Sequence, residues 1–382
     1  MFLIVLGSIL GLMTGYVWFR VVRTTTRPGR TRRVLTAVLL ILTALLVAAL
    51  VLPRVAGVPA AGWFAWPGYV WFGLLVYLVL ALAALEPVRL IGRLNRRRRP
   101  AEETTDLERR RFLARAGAVA AGAAAVGVTG VGVATALGPP DVLRVPVRLP
   151  RLGAEFDGFR IAVVSDIHLG PLLGRSHTER IVRMINETEP DLVAVVGDLV
   201  DGTVAQLGPA AAPLADLVSK EGTFFVTGNH EYFVDDTAEW LRELDGLGLQ
   251  VLRNENTRIR RGAAAFDLAG VNDLAGRSQE QPPDFDRALR GVDAQTPTVL
   301  LAHQPIQVAE AARRNVDLQL SGHTHGGQMW PFHYAVSLAQ PSLAGLSEVG
   351  GTQLYVSRGA GFWGPPVRVG APPDISVLTL RS

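Results

Sequence analysis

The chain reads as a layered α/β domain carried behind four membrane-spanning helices. Two observations predict this. Four runs without a charged residue, Met1–Phe19, Val34–Pro53, Val55–Leu85 and Ala116–Pro140, occupy most of the first 140 positions. From Val142 onward, short apolar runs end in polar motifs and alternate with amphipathic stretches. Continuous apolar strands of this kind imply sheets covered on both faces. The hydrophobic content of 49% and the positive mean hydropathy are unusual for a fully soluble protein, and 382 residues are ample for two parts.

Each uncharged run is long enough to cross a hydrocarbon core of about 30 Å, which takes roughly 20 helical residues. Helices are expected at about 1–19, 34–53, 68–85 and 116–137, which makes residues 1–140 a membrane anchor. The third run is longer than one span needs, and Pro67 and Gly68 put the expected helix start near Tyr69. The first loop holds Arg20, Arg23, Arg27, Arg30, Arg32 and Arg33, the second only Arg54, and the third ten arginines, among them Arg96–Arg99 and Arg109–Arg111. The positive-inside bias assigns loops one and three to the cytoplasm. With four spans, the domain that follows is then expected outside. Arg109-Arg110-Arg111-Phe112-Leu113 ahead of an Ala/Gly/Val-rich run resembles an internal twin-arginine export signal, and Ala134-Thr135-Ala136 offers a cleavage site as a lesser alternative.

Charge divides with the architecture. Residues 1–140 carry a net +12 and residues 141–382 a net −8, which together give +4. The high pI therefore belongs to the membrane flanks, and no basic patch on the domain argues for nucleic acid. There is no cysteine, which excludes disulfides and zinc–thiolate sites.

Within residues 141–382 the expected strands are Ile161–Ser165, Leu192–Val196, Thr223–Val226, Val299–Ala302, Val316–Leu320 and Leu354–Ser357. Thr178–Thr188 and Thr237–Leu244 have helical spacing. Five motifs follow strands: Asp166-Ile-His168, Gly197-Asp198-Leu-Val-Asp201, Gly228-Asn229-His230-Glu231, His303, and Gly322-His323-Thr-His325. They use five of the chain's seven histidines. Strand ends from distant parts of a chain converge at one edge of a sheet, so these groups can form one site. Imidazole with carboxylate favours Mn, Fe, Zn or Co over Ca. Two such cations about 3.5–4 Å apart need a bridging carboxylate and can activate a hydroxide against a phosphoryl group. A histidine that is not a ligand could protonate the leaving oxygen.

These residues resemble the calcineurin-like metallophosphoesterase family, from about residue 160 to the C-terminus, with all five motif blocks present in order. The resemblance implies a four-layer α-β-β-α sandwich and two divalent metal ions, with Mn, Fe and Zn all open. It implies that Asp166, His168 and His325 bind the first metal, that Asp198 bridges, and that Asn229, His303 and His323 bind the second. His230 would be the general acid and Asp201 would orient it. Gly322–Gln328, Arg358–Gly364, Arg368 and Ala371–Ile375 are similar to a bacterial membrane-associated branch with phosphodiesterase-type members.

The expected activity is therefore hydrolysis of phosphoric esters, most simply a phosphodiesterase at the cell membrane with its catalytic domain extracytoplasmic. Lipid or envelope-linked phosphoesters are candidate substrates. A pyrophosphohydrolase of a nucleotide-linked lipid, of the UDP-diacylglucosamine type, is one alternative, and a non-catalytic metal-binding sensor another. A channel is disfavoured because the spans lack an acid or histidine between their ends. Arg358 is a candidate phosphate clamp or a structural salt bridge. Gly326 and Gly327 are expected to let backbone approach the metals. His177 is expected to be solvated near a helix start, and His333 at the surface or against substrate. Phe362 and Trp363 are expected to stack on substrate, rest on the membrane, or pack.

Overall fold

The computed structural model describes residues 2–55, 62–96, 103–233 and 237–382. Met1, the start of the third apolar run at 56–61, and Arg97–Arg99 of the basic loop lie outside the described residues. Two compact units are present. One comprises Met1–Ala134 with Gly364–Val367, the other Thr135–Trp363 with Arg368–Ser382.

The first unit is helical. Helix α1 (Phe2–Val17) continues as a π-helical stretch through Arg23, and α2 covers Arg30–Val55. Helix α3 is Gly62–Ala84, α4 Glu86–Arg96 and α5 Glu103–Leu137. Among the described residues, four stretches are long and apolar enough to cross a membrane: Val5–Arg23, Arg30–Leu52, Gly62–Gly92 and Glu108–Leu137. The third helix starts at Gly62 rather than near Tyr69, with Pro67 inside it. Proline there removes a single intrahelical bond close to the helix start, which an apolar helix tolerates. Gly68 serves packing and not a turn: a Cβ on it would lie 2.9 Å from the Leu45 carbonyl oxygen of α2, so the missing side chain lets the two helices touch.

The second unit is the predicted four-layer sandwich. Its elements run β1 (Asp141–Arg148), β2 (Arg160–Val164), α6 (Arg175–Asn186), β3 (Leu192–Val196), α7 (Val204–Ala211), β4 (Thr223–Val226), α8 (Thr237–Gly246) and β5 (Leu249–Val251). There follow β6 (Glu255–Arg261), β7 (Ala264–Gly270), α9 (Phe285–Ala288), β8 (Thr298–Leu301), α10 (Val308–Ala312), β9 (Leu318–Ser321), α11 (His333–Val336), β10 (Gly345–Val349), β11 (Thr352–Val356) and β12 (Asp374–Arg381). One six-stranded sheet has the order β1-β12-β2-β3-β4-β5 and the other β10-β11-β9-β8-β7-β6. In each, four neighbours are parallel: β2 to β5 in the first, and β7, β8, β9 and β11 in the second.

Period-two alternation builds the layers. Ile161, Val163, Ala194, Val196 and Phe224 of the first sheet meet Phe266, Leu268, Val299, Leu301 and Leu320 of the second in one buried core. The intervening residues face outward: Ala162, Val164, Val193, Val195 and Phe225 pack under Ile181, Ile185, Trp240 and Leu244 of α6 and α8. On the other side Ala269, Leu300 and Ala302 pack under Phe285, Ala288 and Ala311 of α9 and α10. Strands buried on both faces explain their nearly unbroken apolar sequences.

Candidate metal centre

Every motif leaves the C-terminal end of a parallel strand. Asp166 and His168 follow β2, Asp198 and Asp201 follow β3, and Asn229 and His230 follow β4. His303 follows β8, and His323 and His325 follow β9. The two sheets therefore each contribute to one site, at the edge where α/β sheets place ligands.

Three overlapping groups of donors arise there: Asp166, His168 and His325; His168, Asp198 and His230; and Asp198, His303 and His323. Within each group the donor atoms lie within 4.8 Å of one another. His168 Nε2 is 3.1 Å from His325 Nε2 and 3.8 Å from Asp198 Oδ2. His325 Nε2 is 3.4 Å from Asp166 Oδ1, and His303 Nε2 is 3.2 Å from Asp198 Oδ2. Asp198 is thus common to two of the groups, in the place a shared carboxylate would take.

The residues fit divalent cations by their protons as well as their positions. His303 Nδ1 lies 2.8 Å from the Val196 carbonyl, which can only accept, so Nδ1 donates. In neutral His303 the Nε2 lone pair then faces the Asp198 carboxylate, acceptor against acceptor. His303 Nε2 and Asn229 Oδ1 are both buried and make no hydrogen bond. Buried polar atoms rarely stay so without a partner. His168 Nδ1 faces Asp201 at 3.2 Å, which leaves its Nε2 for the cluster. His325 differs: its Nδ1 faces Arg368 Nη2 at 3.1 Å, and a guanidinium only donates. Neutral His325 in this contact carries its proton on Nε2, so binding a cation through that nitrogen as a neutral ligand would need the proton on Nδ1 and the ring contact with Arg368 released.

The field of the site calls for positive charge. Burial opposes ionisation of Asp198, but His303, His230 and His168 hold it well below the usual carboxylate range. Burial pushes Asp166 up, and the neighbouring charge of Asp198 adds to this. Burial likewise opposes a charge on His303, yet Asp198, Asp166 and Asp273 carry it well above the ordinary value. Burial, with His303 next, pulls His323 down to about 3.

His230 shares a donor group with His168 and Asp198, but its other ring nitrogen is held by Asp201. Its Nδ1 is 2.5 Å from Asp201 Oδ1, while its Nε2 stays 3.9 Å from Asp198 Oδ2. Burial would lower its pKa, but Asp198 and Asp201 push it up to about 9, so the ring is protonated at neutral pH. Phe233 and Trp363 border it, with ring centroids at 4.9 and 5.8 Å.

The loops that carry these groups are strained and held from behind. Asp166, His168, Asp198, His323 and His325 all have positive φ, between 50° and 72°. Such backbone costs about 1–3 kcal/mol per non-glycine residue and persists where surroundings over-determine it. One such surrounding is Glu231. It is fully buried, and its two oxygens accept the backbone N–H groups of Asp198, Leu199 and Gly228 at 3.0, 2.7 and 2.6 Å. Ser165 Oγ donates to Asp166 Oδ2 at 2.5 Å. Close approach explains two motif glycines. A Cβ on Gly228 would sit 2.2 Å from Asp198 Oδ1, and one on Gly322 would sit 2.4 Å from Asp166 Oδ2.

Several expectations change here. Gly326 and Gly327, next in the chain to His325, also admit neighbouring segments: a Cβ on them would meet Arg358 Cγ at 3.0 Å and His333 Cα at 2.4 Å. His177 is buried in the first turn of α6 and not solvated, and burial with Arg180 nearby lowers its pKa to about 4. Arg358 forms the salt bridge of its two expectations, with Nε 2.8 Å from Asp374 Oδ2. Phe362 packs with Ala136 and Leu173, whereas Trp363 is exposed beside His230. His333 is half-buried on α11, its ring 4.0 Å from that of Tyr334. Two residues had no assigned role in the sequence reading. In the sequence Glu231 is the last residue of its motif, and Arg368 is part of the resemblance to the membrane-associated branch without a role of its own.

A domain of this layering, with overlapping groups of metal donors at its strand ends, has the build of a metal-dependent hydrolase. Comparison with known proteins narrows the class. The profile of the family described as calcineurin-like phosphoesterase matches residues 159–327. A Danio rerio protein named "transmembrane protein with metallophosphoesterase domain" is 33% identical over 393 residues, covering 100% of this chain and 89% of its own length. The Bos taurus protein of the same name is 42% identical over 259 residues, covering 65% of this chain. That match spans only 58% of the bovine protein. A Helicobacter pylori (strain J99) protein described as an uncharacterized metallophosphoesterase is 40% identical over 249 residues, covering 64% of this chain and 65% of its own. The chain belongs to the calcineurin-like phosphoesterase family.

Proposed function

We propose that this protein is a membrane-anchored phosphodiesterase using two divalent metal ions, with residues 1–140 as the anchor and 141–382 as the catalytic domain. The observation that carries the reading is Asp198, a buried carboxylate that reaches His168 on one side and His303 and His323 on the other, with His230 beside it held by Asp201. Asp166, His168 and His325 would hold one ion and Asn229, His303 and His323 the other, with Asp198 between them. Mn, Fe and Zn all suit these donors. Two bound cations would supply an activated hydroxide and positive charge for the phosphoryl oxygens.

The chain's own residues supply the rest. His230 holds a proton on Nε2 at the mouth of the site and gives it to the departing alkoxide oxygen. Asp201 fixes the ring through Nδ1, which keeps that proton on the correct nitrogen. Phe233 and Trp363 flank the His230 ring.

The arginine-rich first and third loops support a cytoplasmic location for those loops and an outward-facing domain. Protease added to intact cells should cleave the domain. In an Arg109→Lys/Arg110→Lys variant, unchanged cleavage would refute a role for the twin-arginine-like segment.

The activity test uses the full chain purified in detergent. With Mn it should hydrolyse a bis-aryl phosphodiester, and EDTA should abolish this until Mn is restored. Turnover of a monoester but no diester would overturn the phosphodiesterase reading. Preferred cleavage of a nucleotide-linked lipid pyrophosphate would favour the pyrophosphohydrolase reading instead.

A further inference from the structure

Arg368 is 1% exposed, and among the described residues no carboxylate lies within ion-pair distance of it. Every nitrogen of its guanidinium ends on acceptors of the loops behind the metal centre. Nε reaches the Gly361 carbonyl at 3.1 Å, and Nη2 reaches the same oxygen. Nη1 donates to the carbonyls of His325 and Arg358, both at 2.9 Å, and to that of Ala371 at 3.3 Å. Nη2 also donates to the Gly359 carbonyl at 3.3 Å and to His325 Nδ1 at 3.1 Å. The side chain therefore grips the His325 main chain and ties it to the 358–361 loop.

We propose that Arg368 is the positioning residue of His325: its planar fork fixes the strained backbone of that ligand through main-chain carbonyls and thereby sets the affinity of the Asp166–His168–His325 donor set. This rests on the two-metal reading above. A buried guanidinium is costly to desolvate, and apolar packing would fill the same volume more favourably, so a purely space-filling role does not account for it. His325 has φ 50° and is followed directly by Gly326 and Gly327, so its geometry needs an external hold. Gly359, one of the gripped residues, presses on Asp166 as well: a Cβ there would be 2.5 Å from the Asp166 Cβ. The grip thus reaches two of the three donors in the set. Lysine cannot replace it, because an ammonium offers three tetrahedrally placed donors and no fork.

The test compares full-length wild type, Arg368→Lys, Arg368→Met and His325→Ala in detergent. Mn stoichiometry and affinity are measured by titration, and coupling between ions by electron paramagnetic resonance. Wild type should bind two Mn with a spin-coupled signal. Arg368→Lys should keep its melting temperature within a few degrees, bind one Mn about 10–100-fold more weakly, and show the uncoupled single-ion signal of His325→Ala at limiting Mn. Arg368→Met should show the same metal defect, and if it does not fold the lysine variant decides alone. Two ions bound with wild-type affinity and coupling in Arg368→Lys would overturn the proposal. So would equal weakening of both ions, which marks a general structural role. Wild type binding fewer than two Mn would instead overturn the two-metal reading itself.

Discussion

His230 Nδ1 stands 2.5 Å from Asp201 Oδ1, and the same carboxylate lies 3.2 Å from His168 Nδ1. One acid therefore orients both the proposed proton donor and a proposed ligand. Burial opposes charge on Asp201, but His168 and His230 hold its pKa low, so it stays an acceptor for both rings. Asp201→Asn should reduce kcat about 10–100-fold and also weaken metal binding, because the amide frees two imidazoles at once. Steady-state kinetics with metal analysis of the same sample would check this. Wild-type kcat in the variant would remove Asp201 from the mechanism.

His230→Ala separates the proton from the metals. The side chain lies outside the proposed ligand set, so two ions should remain while kcat falls about 10²–10⁴-fold. The loss should grow with the basicity of the leaving group. A nitrophenolate departs without a proton, whereas an alkoxide does not. A series of aryl and alkyl diesters tests this, and equal losses across it would assign His230 a role other than general acid.

Much of this site was legible in the chain because its chemistry sits in short motifs directly after apolar strands. The six expected strands correspond to β2, β3, β4, β8, β9 and β11 within a residue or two. The other strands were hidden for a physical reason. β1 gains its place only by pairing with β12, more than 200 positions away, and the β6–β7 hairpin is polar on its outer side. Roles that depend on backbone were equally hidden. No residue type announces that five of the proposed ligands sit at positive φ, or that Glu231 and Arg368 spend their hydrogen bonds on main-chain groups. Gly68 looked like a helix breaker, since a sequence cannot show the neighbouring helix that its missing side chain admits.

Glu231 yields a stability prediction. All of its partners are N–H donors, with Leu199 and Val200 on Oε1 and Asp198 and Gly228 on Oε2. In Glu231→Gln one oxygen becomes an NH₂ group that faces backbone donors. Leaving buried donors unsatisfied costs about 1–3 kcal/mol, and the loops after β3 and β4 lose their common anchor. The variant should melt several degrees lower and bind Mn more weakly, by scanning fluorimetry and metal titration. Unchanged melting and affinity would mean that the four bonds contribute nothing net.

Asp191 offers a pH test far from the metal centre. Its Oδ2 accepts the Arg160 N–H at 2.8 Å, and its Oδ1 accepts Lys220 Nζ at 2.8 Å and Arg261 Nη2 at 3.0 Å. One carboxylate thereby joins the starts of β2, β3 and β4 to the end of β6 in the opposite sheet. Burial would raise its pKa, but Lys220, the Arg160 amide and Arg261 lower it below the ordinary value. A depressed folded pKa means that the stabilisation is complete above the unfolded value, near pH 4, and is lost as pH falls through the folded one. Asp191→Asn should therefore cost about 1–3 kcal/mol at pH 7, as expected for charge-assisted bonds to partly exposed partners. The gap to wild type should close progressively below about pH 4. Pulse proteolysis of both proteins from pH 7 down to pH 3 measures that gap. A difference that stayed constant over this range would show that the carboxylate's charge is not what holds the two sheets at this edge.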